Sequence, residues 1–195
     1  SAAGLVSLPA TFSTPAIVYR QAGDNYILIE YGENVLDLAL RLRVHVLMEH
    51  LRELAHPGIK ELSPGVRSLQ VRYDSREISQ PALVALLLEQ EARIGDVSRM
   101  KVPSRIVHLP MAFEDSATLD AVSRYADTVR ATAPWLPNNV DFIQRINGLP
   151  NREAVMETLF DASYLILGLG DVYLGAPCAV PIDPRHRLLS SKYNP

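Results

Sequence analysis

The chain has one cysteine, Cys178, in 195 residues. No intramolecular disulfide can form, which fits a reducing, cytoplasmic setting. Charge of one sign is not in excess. The 19 Lys and Arg stand against 22 Asp and Glu, interspersed, for a net charge of −3. That excludes the basic footprint of a nucleic-acid binder and the polybasic run of an anionic-membrane binder. No apolar run reaches the roughly 18 residues a membrane helix needs. The five histidines, His45, His50, His56, His108 and His186, form no HExxH, and no CxxC accompanies them. A metal site is therefore not expected. His45 and His50 lie five apart, the wrong spacing for one helix face. No Ser-His-Asp or Cys-His constellation is evident. There is no internal repeat and no low-complexity segment. The opening SAAGLVSLPATFSTP lacks a basic n-region, so residues 1–15 read as an N-terminal arm and not a signal peptide.

What is present is a core-forming sequence, 48 % apolar. Its length allows one large domain or two small ones. Ala16–Tyr19 and Tyr26–Tyr31 are apolar stretches around Gln21-Ala22-Gly23-Asp24-Asn25, a strand–turn–strand signal. From Val35 to Leu54, Leu36, Leu40, Val44, Leu47, Leu51 and Leu54 recur at threes and fours, an amphipathic helix. His56-Pro57-Gly58 ends it. Ile59–Leu62 and Ser68–Tyr73 are expected strands, the second alternating Leu69, Val71 and Tyr73 with polar residues. Leu83–Ala92 reads as a helix with Pro81 in its first turn. The expected fold class is α+β. Residues 16–97 follow a split βαβ pattern of ferredoxin-like character, and a boundary is expected near 95–101.

Lys101–Leu109 is expected to open the second part as a strand closed by Pro110. Asp115 and Ser116 offer a cap for a helix through Leu119, Val122, Tyr125, Ala126 and Val129. Asn138 and Asn139 offer an N-cap for a short helix, Val140–Ile146, which Gly148-Leu149-Pro150 stops. Glu153–Phe160 is a further helix. The last third then runs from the apolar Tyr164–Leu167 through Gly168-Leu169-Gly170-Asp171 to Val172-Tyr173-Leu174, a tight reversal between apolar strands. Gly168 and Gly170 lack the third glycine of a dinucleotide fingerprint. Arg185, His186 and Arg187 follow in a polar, proline-bounded loop that reads equally as an anion site or a solvated surface. On the residues alone, Asn139 is either a helix cap or an amide facing a small polar ligand. Tyr173 is either a core tyrosine or a pocket hydroxyl. Gly170 and Asp171 read as turn residues that could also shape a pocket.

FDASYLILGLGDVYLGAP at 160–177, DPRHRL at 183–188 and KYNP at 192–195 resemble one family closely. So do YRQAGDNYILIEYG at 19–32, PGVRSLQVRYDS at 64–75, KVPSRIVHLP at 101–110 and NNVDFIQRINGLP at 138–150. The chain is similar to the carboxyltransferase region of biotin-dependent urea carboxylase (urea amidolyase). Within that region it resembles the half related to allophanate hydrolase subunit 1, the KipI family. The resemblance implies a ferredoxin-like domain over 16–97. It implies a cyclophilin-like β-barrel with inserted helices over 98–195, truncated at its C-terminal end.

The same resemblance implies carboxyl transfer from N-carboxybiotin to urea, giving allophanate. Asn139 and Tyr173 become urea contacts, asparagine at the first place accompanying urea and aspartate guanidine. No catalytic base is assigned. Biotin is expected on a separate carrier domain, with ATP, Mg²⁺ and bicarbonate at a separate biotin carboxylase domain. A second carboxyltransferase half, related to allophanate hydrolase subunit 2, is the expected partner. Met100-Lys101 lacks the flanking residues of a biotinylated lysine, so Lys101 reads as an ordinary surface residue. The alternative is a KipI-like regulatory binder that inhibits a histidine kinase, or a component of a 5-oxoprolinase. The helical stretch at 116–160 and the urea-type motifs speak against that alternative.

Overall fold

A computed structural model describes residues 4–169 and 177–190. The chain divides into two compact units, Ser1–Pro103 and Ser104–Pro195. The first contains β1 (Gly4–Leu8), β2 (Ile17–Gln21), β3 (Tyr26–Tyr31), α1 (Leu38–Leu54), β4 (Ile59–Pro64), β5 (Ser68–Tyr73) and α2 (Gln80–Ala92). Its sheet is antiparallel throughout, in the order β1-β2-β3-β5-β4. Helix α1 carries the chain from β3 past β5 to β4, a split βαβ crossover.

Period-two alternation explains why one face of this sheet is buried. Ile17 and Tyr19 on β2, Ile27, Ile29 and Tyr31 on β3, and Leu69, Val71 and Tyr73 on β5 join a single core. Leu40, Val44, Leu47, Met48 and Leu51 of α1 and Leu83, Val84 and Leu87 of α2 close it. Gly58 permits a close approach here, because a Cβ at that position would sit 2.5 Å from Cγ2 of Ile78. The expected arm at 1–15 carries β1. Val6, Ser7 and Leu8 pair with Tyr19, Val18 and Ile17, and Leu5, Val6 and Leu8 pack on the core. Its apolar residues serve an edge strand.

Helix α1 begins later than its hydrophobic pattern suggests, because the Asp37 carboxylate caps it by accepting from the Ala39 amide at 2.8 Å. Val35 and Leu36 are left outside and exposed. Helix α2 has proline in its first turn, as its sequence predicts, and starts before the expected Leu83, at a Ser79 cap. At the end of α1, Ala55 adopts the left-handed conformation, φ 49° and ψ 38°. An L-residue there is disfavoured by about 1–2 kcal/mol, and glycine is the usual occupant. Ala55→Gly should therefore stabilise the first unit by about 0.5–1 kcal/mol, after allowing for glycine's greater unfolded-state entropy. Thermal unfolding checks this, and an unchanged or lower midpoint would contradict it.

Three polar side chains lie inside this core: Arg43, Gln90 and Glu91. Arg43 Nε donates to Glu91 Oε1 at 2.7 Å, and Arg43 Nη2 lies 2.5 Å from the same oxygen. Tyr31 Oη donates to Glu91 Oε2 at 2.6 Å. The Arg43 guanidinium also sits 5.8 Å from the centroid of the Tyr31 ring. Burial, and then the Glu91 charge, push the Tyr31 phenol far above its ordinary value. The hydroxyl stays protonated and donating.

The second unit contains α3 (Ser116–Thr128), α4 (Asn139–Ile146), α5 (Arg152–Phe160), β6 (Tyr164–Leu169) and β7 (Pro177–Pro181). Asp115 caps α3 through the amides of Ala117 and Thr118, as expected. Strands β6 and β7 pair antiparallel. The expected strand Val172–Leu174 lies outside the described residues. Residues 177–181 form a strand that the sequence pattern does not announce, Val180 and Ala179 pairing with Leu165 and Ile166. One expectation needs correction. Residues 101–109 are not a strand. A strand exists only through a neighbour's hydrogen bonds, and no described strand pairs with this stretch. Ile106 is 86 % exposed, and Val107 and Leu109 are 62 % exposed. The described residues show a two-stranded sheet here and no barrel. The architecture is thus mixed α and β, with an antiparallel main sheet.

Candidate functional site

Helix α4 presents the residue that the motif NNVDFIQRINGLP singles out. Two asparagines compete for its cap, and the structure separates them. Asn138 is the N-cap, with extended backbone at φ −138° and ψ 124°. Its Oδ1 accepts from the Val140 amide at 2.8 Å and the Asp141 amide at 3.1 Å. Asn139 is the first helical residue and caps nothing. Its Oδ1 is shielded from solvent and, among the described residues, has no hydrogen-bond partner. A shielded amide oxygen without a partner costs about 1–3 kcal/mol, so such a group calls for an explanation. Of the two readings open in the sequence, capping has passed to the neighbour.

The cap is itself held. Asn138 Nδ2 donates to Glu114 Oε1, and Arg152 Nη2 donates to Glu114 Oε2 at 2.5 Å. Arg152 Nη1 donates to Asp141 Oδ1. One carboxylate thus ties the loop before α3 to the first turn of α4 and the first turn of α5. Glu114 has φ 55°, the left-handed region that a non-glycine residue seldom enters. The Asn138 amide, and then Arg152, hold its carboxyl below the usual range. The clamp is therefore intact at neutral pH. It weakens only as pH falls through that lowered value.

The far end of α4 is fixed too. Gly148, at φ 64°, lets the Leu149 amide reach the Gln144 carbonyl at 3.0 Å. Asn147 Nδ2 donates to the Leu189 carbonyl at 2.9 Å, and Asn147 Oδ1 accepts from the Leu189 amide at 2.7 Å. Trp135 packs between α3 and α4, tilted against Tyr125 with ring centroids 6.1 Å apart and edge-on to Phe142 at 6.4 Å. Arg145 Nη2 donates to the Pro134 carbonyl at 2.7 Å. Beside this loop lies a mostly apolar groove of about 500 Å³, bounded by Leu119, Val122 and Ala126 of α3 and by Ala133, Leu136 and Pro137.

Tyr173, the second expected urea contact, lies outside the described residues, as do Gly170 and Asp171. The structure therefore gives no distance between Asn139 and Tyr173. Arg185 and Arg187 are committed locally. Arg185 Nη2 pairs with Asp183 Oδ2 at 2.5 Å, and Arg187 Nε donates to the Pro181 carbonyl at 3.0 Å. Hydrogen bonds from Arg185 hold the Asp183 carboxyl far below the ordinary range. This leaves the anion-site reading of that loop without free arginines. Among the described residues, no group of three or more His, Cys, Asp and Glu side chains could hold a metal ion. No described helix is long and apolar enough to cross a membrane. Sequence reading missed Glu114 and Arg152, which lie 24 residues before Asn138 and 11 after Asp141. No local pattern marks either.

Comparison with known proteins identifies the family. The family model for the carboxyltransferase domain, subdomain C and D, matches residues 17–195. Urea amidolyase of Lachancea kluyveri is 50 % identical over 192 residues, covering 98 % of this chain and 10 % of that protein. A putative urea carboxylase of Emericella nidulans is 38 % identical over 200 residues, covering 96 % of this chain and 16 % of that protein. The crystal structure of Kluyveromyces lactis urea carboxylase superposes with a TM-score of 0.86 at 48 % identity, over 100 % of this chain and 17 % of that one. The chain thus spans a small part of the length of the relatives it matches. With its split βαβ sheet and its motif-bearing helix α4, it belongs to the carboxyltransferase domain family, subdomains C and D, in the branch that urea amidolyases and urea carboxylases carry.

Proposed function

We propose that this chain is part of the carboxyltransferase of a biotin-dependent urea carboxylase, a carbon–nitrogen ligase, and that it helps bind the urea that becomes allophanate. One observation carries the reading: Asn139, at the motif position, keeps a shielded side-chain amide oxygen that caps nothing and, among the described residues, has no hydrogen-bond partner. Urea is neutral, with one carbonyl acceptor and two NH₂ donor groups. An asparagine amide offers both an acceptor and a donor, and so suits a neutral amide better than a carboxylate does.

Carboxylated biotin, arriving on a separate carrier domain, supplies the carboxyl group. ATP, Mg²⁺ and bicarbonate belong to a distant biotin carboxylase domain. In the transfer, a urea nitrogen would bond the carboxyl carbon as the bond between that carbon and the biotin ureido nitrogen breaks; the urea nitrogen gives up one proton and the biotin nitrogen gains one. Urea is a poor nucleophile, so orientation and stabilisation of the developing charge supply most of the catalysis. Asn139 orients the urea, and Tyr173 is assigned a second contact. No base is assigned within this chain. An acidic urea contact is assigned to a partner half related to allophanate hydrolase subunit 2.

We read residues 16–97, within the first unit, as ferredoxin-like. The order β2-β3-β5-β4 with its split crossover supports this. Residues 98–195 are read as a cyclophilin-like barrel with α3, α4 and α5 inserted. The setting is cytoplasmic. Relatives matched across nearly the whole chain are named for urea chemistry, so the regulatory binder is not favoured.

The test is turnover by the full-length protein that contains this chain, given ATP, bicarbonate and urea. Allophanate, detected by mass spectrometry, is the expected product, and the 195-residue chain alone should make none. Full-length protein that carboxylates its biotin yet yields no allophanate from urea would contradict the reading.

A further inference from the structure

We propose that Asn138, Glu114 and Arg152 form a positioning clamp that sets the direction of the Asn139 side chain, and so the affinity for the neutral amide substrate. This rests on the reading of Asn139 as a substrate contact. The geometry has three parts. Asn138 uses both ends of its amide, Oδ1 on the Val140 and Asp141 amides and Nδ2 on Glu114. Glu114 is engaged on both oxygens, by Asn138 and by Arg152. Arg152 closes the ring by donating to Asp141, on the same turn of α4 as Asn139.

A cap alone needs only the Oδ1 half of this arrangement. The Nδ2 half adds nothing to capping. It links the peptide that precedes Asn139 to a carboxylate on another segment. Removing that link leaves the first turn of α4 tied by the Arg152–Asp141 pair alone, so the turn can shift slightly while the helix stays formed. A side chain at the first helical position shifts with it. The Glu114 backbone holds an unfavourable φ of 55°, which persists only where the surroundings over-determine it. Asn138, Glu114 and Arg152 are positioning residues here; none is assigned contact with substrate.

Asn138→Ser separates the two halves, because serine caps as well as asparagine but cannot reach Glu114. In the full-length enzyme it should raise KM for urea about tenfold while changing kcat little, the pattern of lost binding shared by ground and transition states. Thermal unfolding should stay within about 2 °C, since no cap is lost. Glu114→Gln, which leaves one of two donors unmatched, should shift KM in the same direction. The decisive measurement is the double-mutant cycle with Asn139→Ala. If the clamp acts through Asn139, Asn138→Ser costs nothing further once Asn139 is gone. Additive losses would assign Asn138 a merely structural role and overturn the clamp. So would an unchanged KM in Asn138→Ser beside an impaired Asn139→Ala. If Asn139→Ala itself left KM and kcat unchanged, the substrate contact would fall, and the clamp with it.

Discussion

Glu91→Ala should cost the first unit about 3–5 kcal/mol, the usual penalty for breaking a buried ion pair from one side. Arg43 and Glu91 have side-chain exposures of 3 % and 4 %, so solvent cannot replace the lost partner. The substitution leaves a buried guanidinium without its carboxylate and Tyr31 Oη without its acceptor. Tyr31→Phe removes only one donor from a carboxylate that Arg43 still holds, and should cost less, about 1.5–3 kcal/mol. Tyr19 lies in the same core with its own hydroxyl buried and, among the described residues, unpartnered. Glu91 is thus the shared acceptor of Arg43 and Tyr31 in this core.

The same physics gives a control. Arg43→Met with Glu91→Leu and Tyr31→Phe removes charge and partners together, leaving an apolar core of similar volume. It should be far more stable than Glu91→Ala, and comparable to the parent. Amide hydrogen exchange at Val44 and Leu47 reads the first unit alone. Glu91→Ala should accelerate it at least about a hundredfold, the equivalent of about 3 kcal/mol. Acceleration under about fivefold, about 1 kcal/mol, would show that the pair contributes no more than an exposed one.

Legibility in the sequence follows locality. The alternation of Leu69, Val71 and Tyr73 marks one buried face, and the threes and fours from Leu40 to Leu51 mark another. Asp115 announces α3, and Pro81 announces the first turn of α2. The hydrophobic pattern starts α1 three residues early, at Val35, because Val35 and Leu36 continue it. The Asp37 cap, a single local hydrogen bond, overrules them. Strand β1 reads as an arm because an edge strand of five residues carries little periodicity. The stretch 101–109 reads as a strand by composition, yet pairing decides strand structure, and pairing is not local. Arg43 hides inside an amphipathic helix, where a charged residue normally marks the wet face. Its partner Glu91 is 48 residues away. The motif around 138–150 is visible, but which asparagine caps and which is free is a matter of backbone angles. Glu114 and Arg152 are invisible for the same reason as Glu91.

The largest functional effect is expected from Asn139→Asp in the full-length enzyme. Aspartate keeps the size of asparagine, removes the donor and adds a negative charge. At the first position of α4 a carboxylate is favoured by the helix dipole, by about 0.3–1 kcal/mol. The dipole offsets part of the cost of a shielded charge, and thermal unfolding measured beside activity separates folding from the site. Neutral urea loses a hydrogen bond and meets an unsatisfied buried group, worth about 1–3 kcal/mol. Guanidinium, planar, cationic and a donor at every edge, gains a charge-assisted partner. A change of about 1.4 kcal/mol on each side moves the preference roughly a hundredfold. Measured in parallel on both substrates, the ratio of kcat/KM for guanidine over urea should rise about a hundredfold in Asn139→Asp. An unaltered ratio would remove Asn139 from the substrate site.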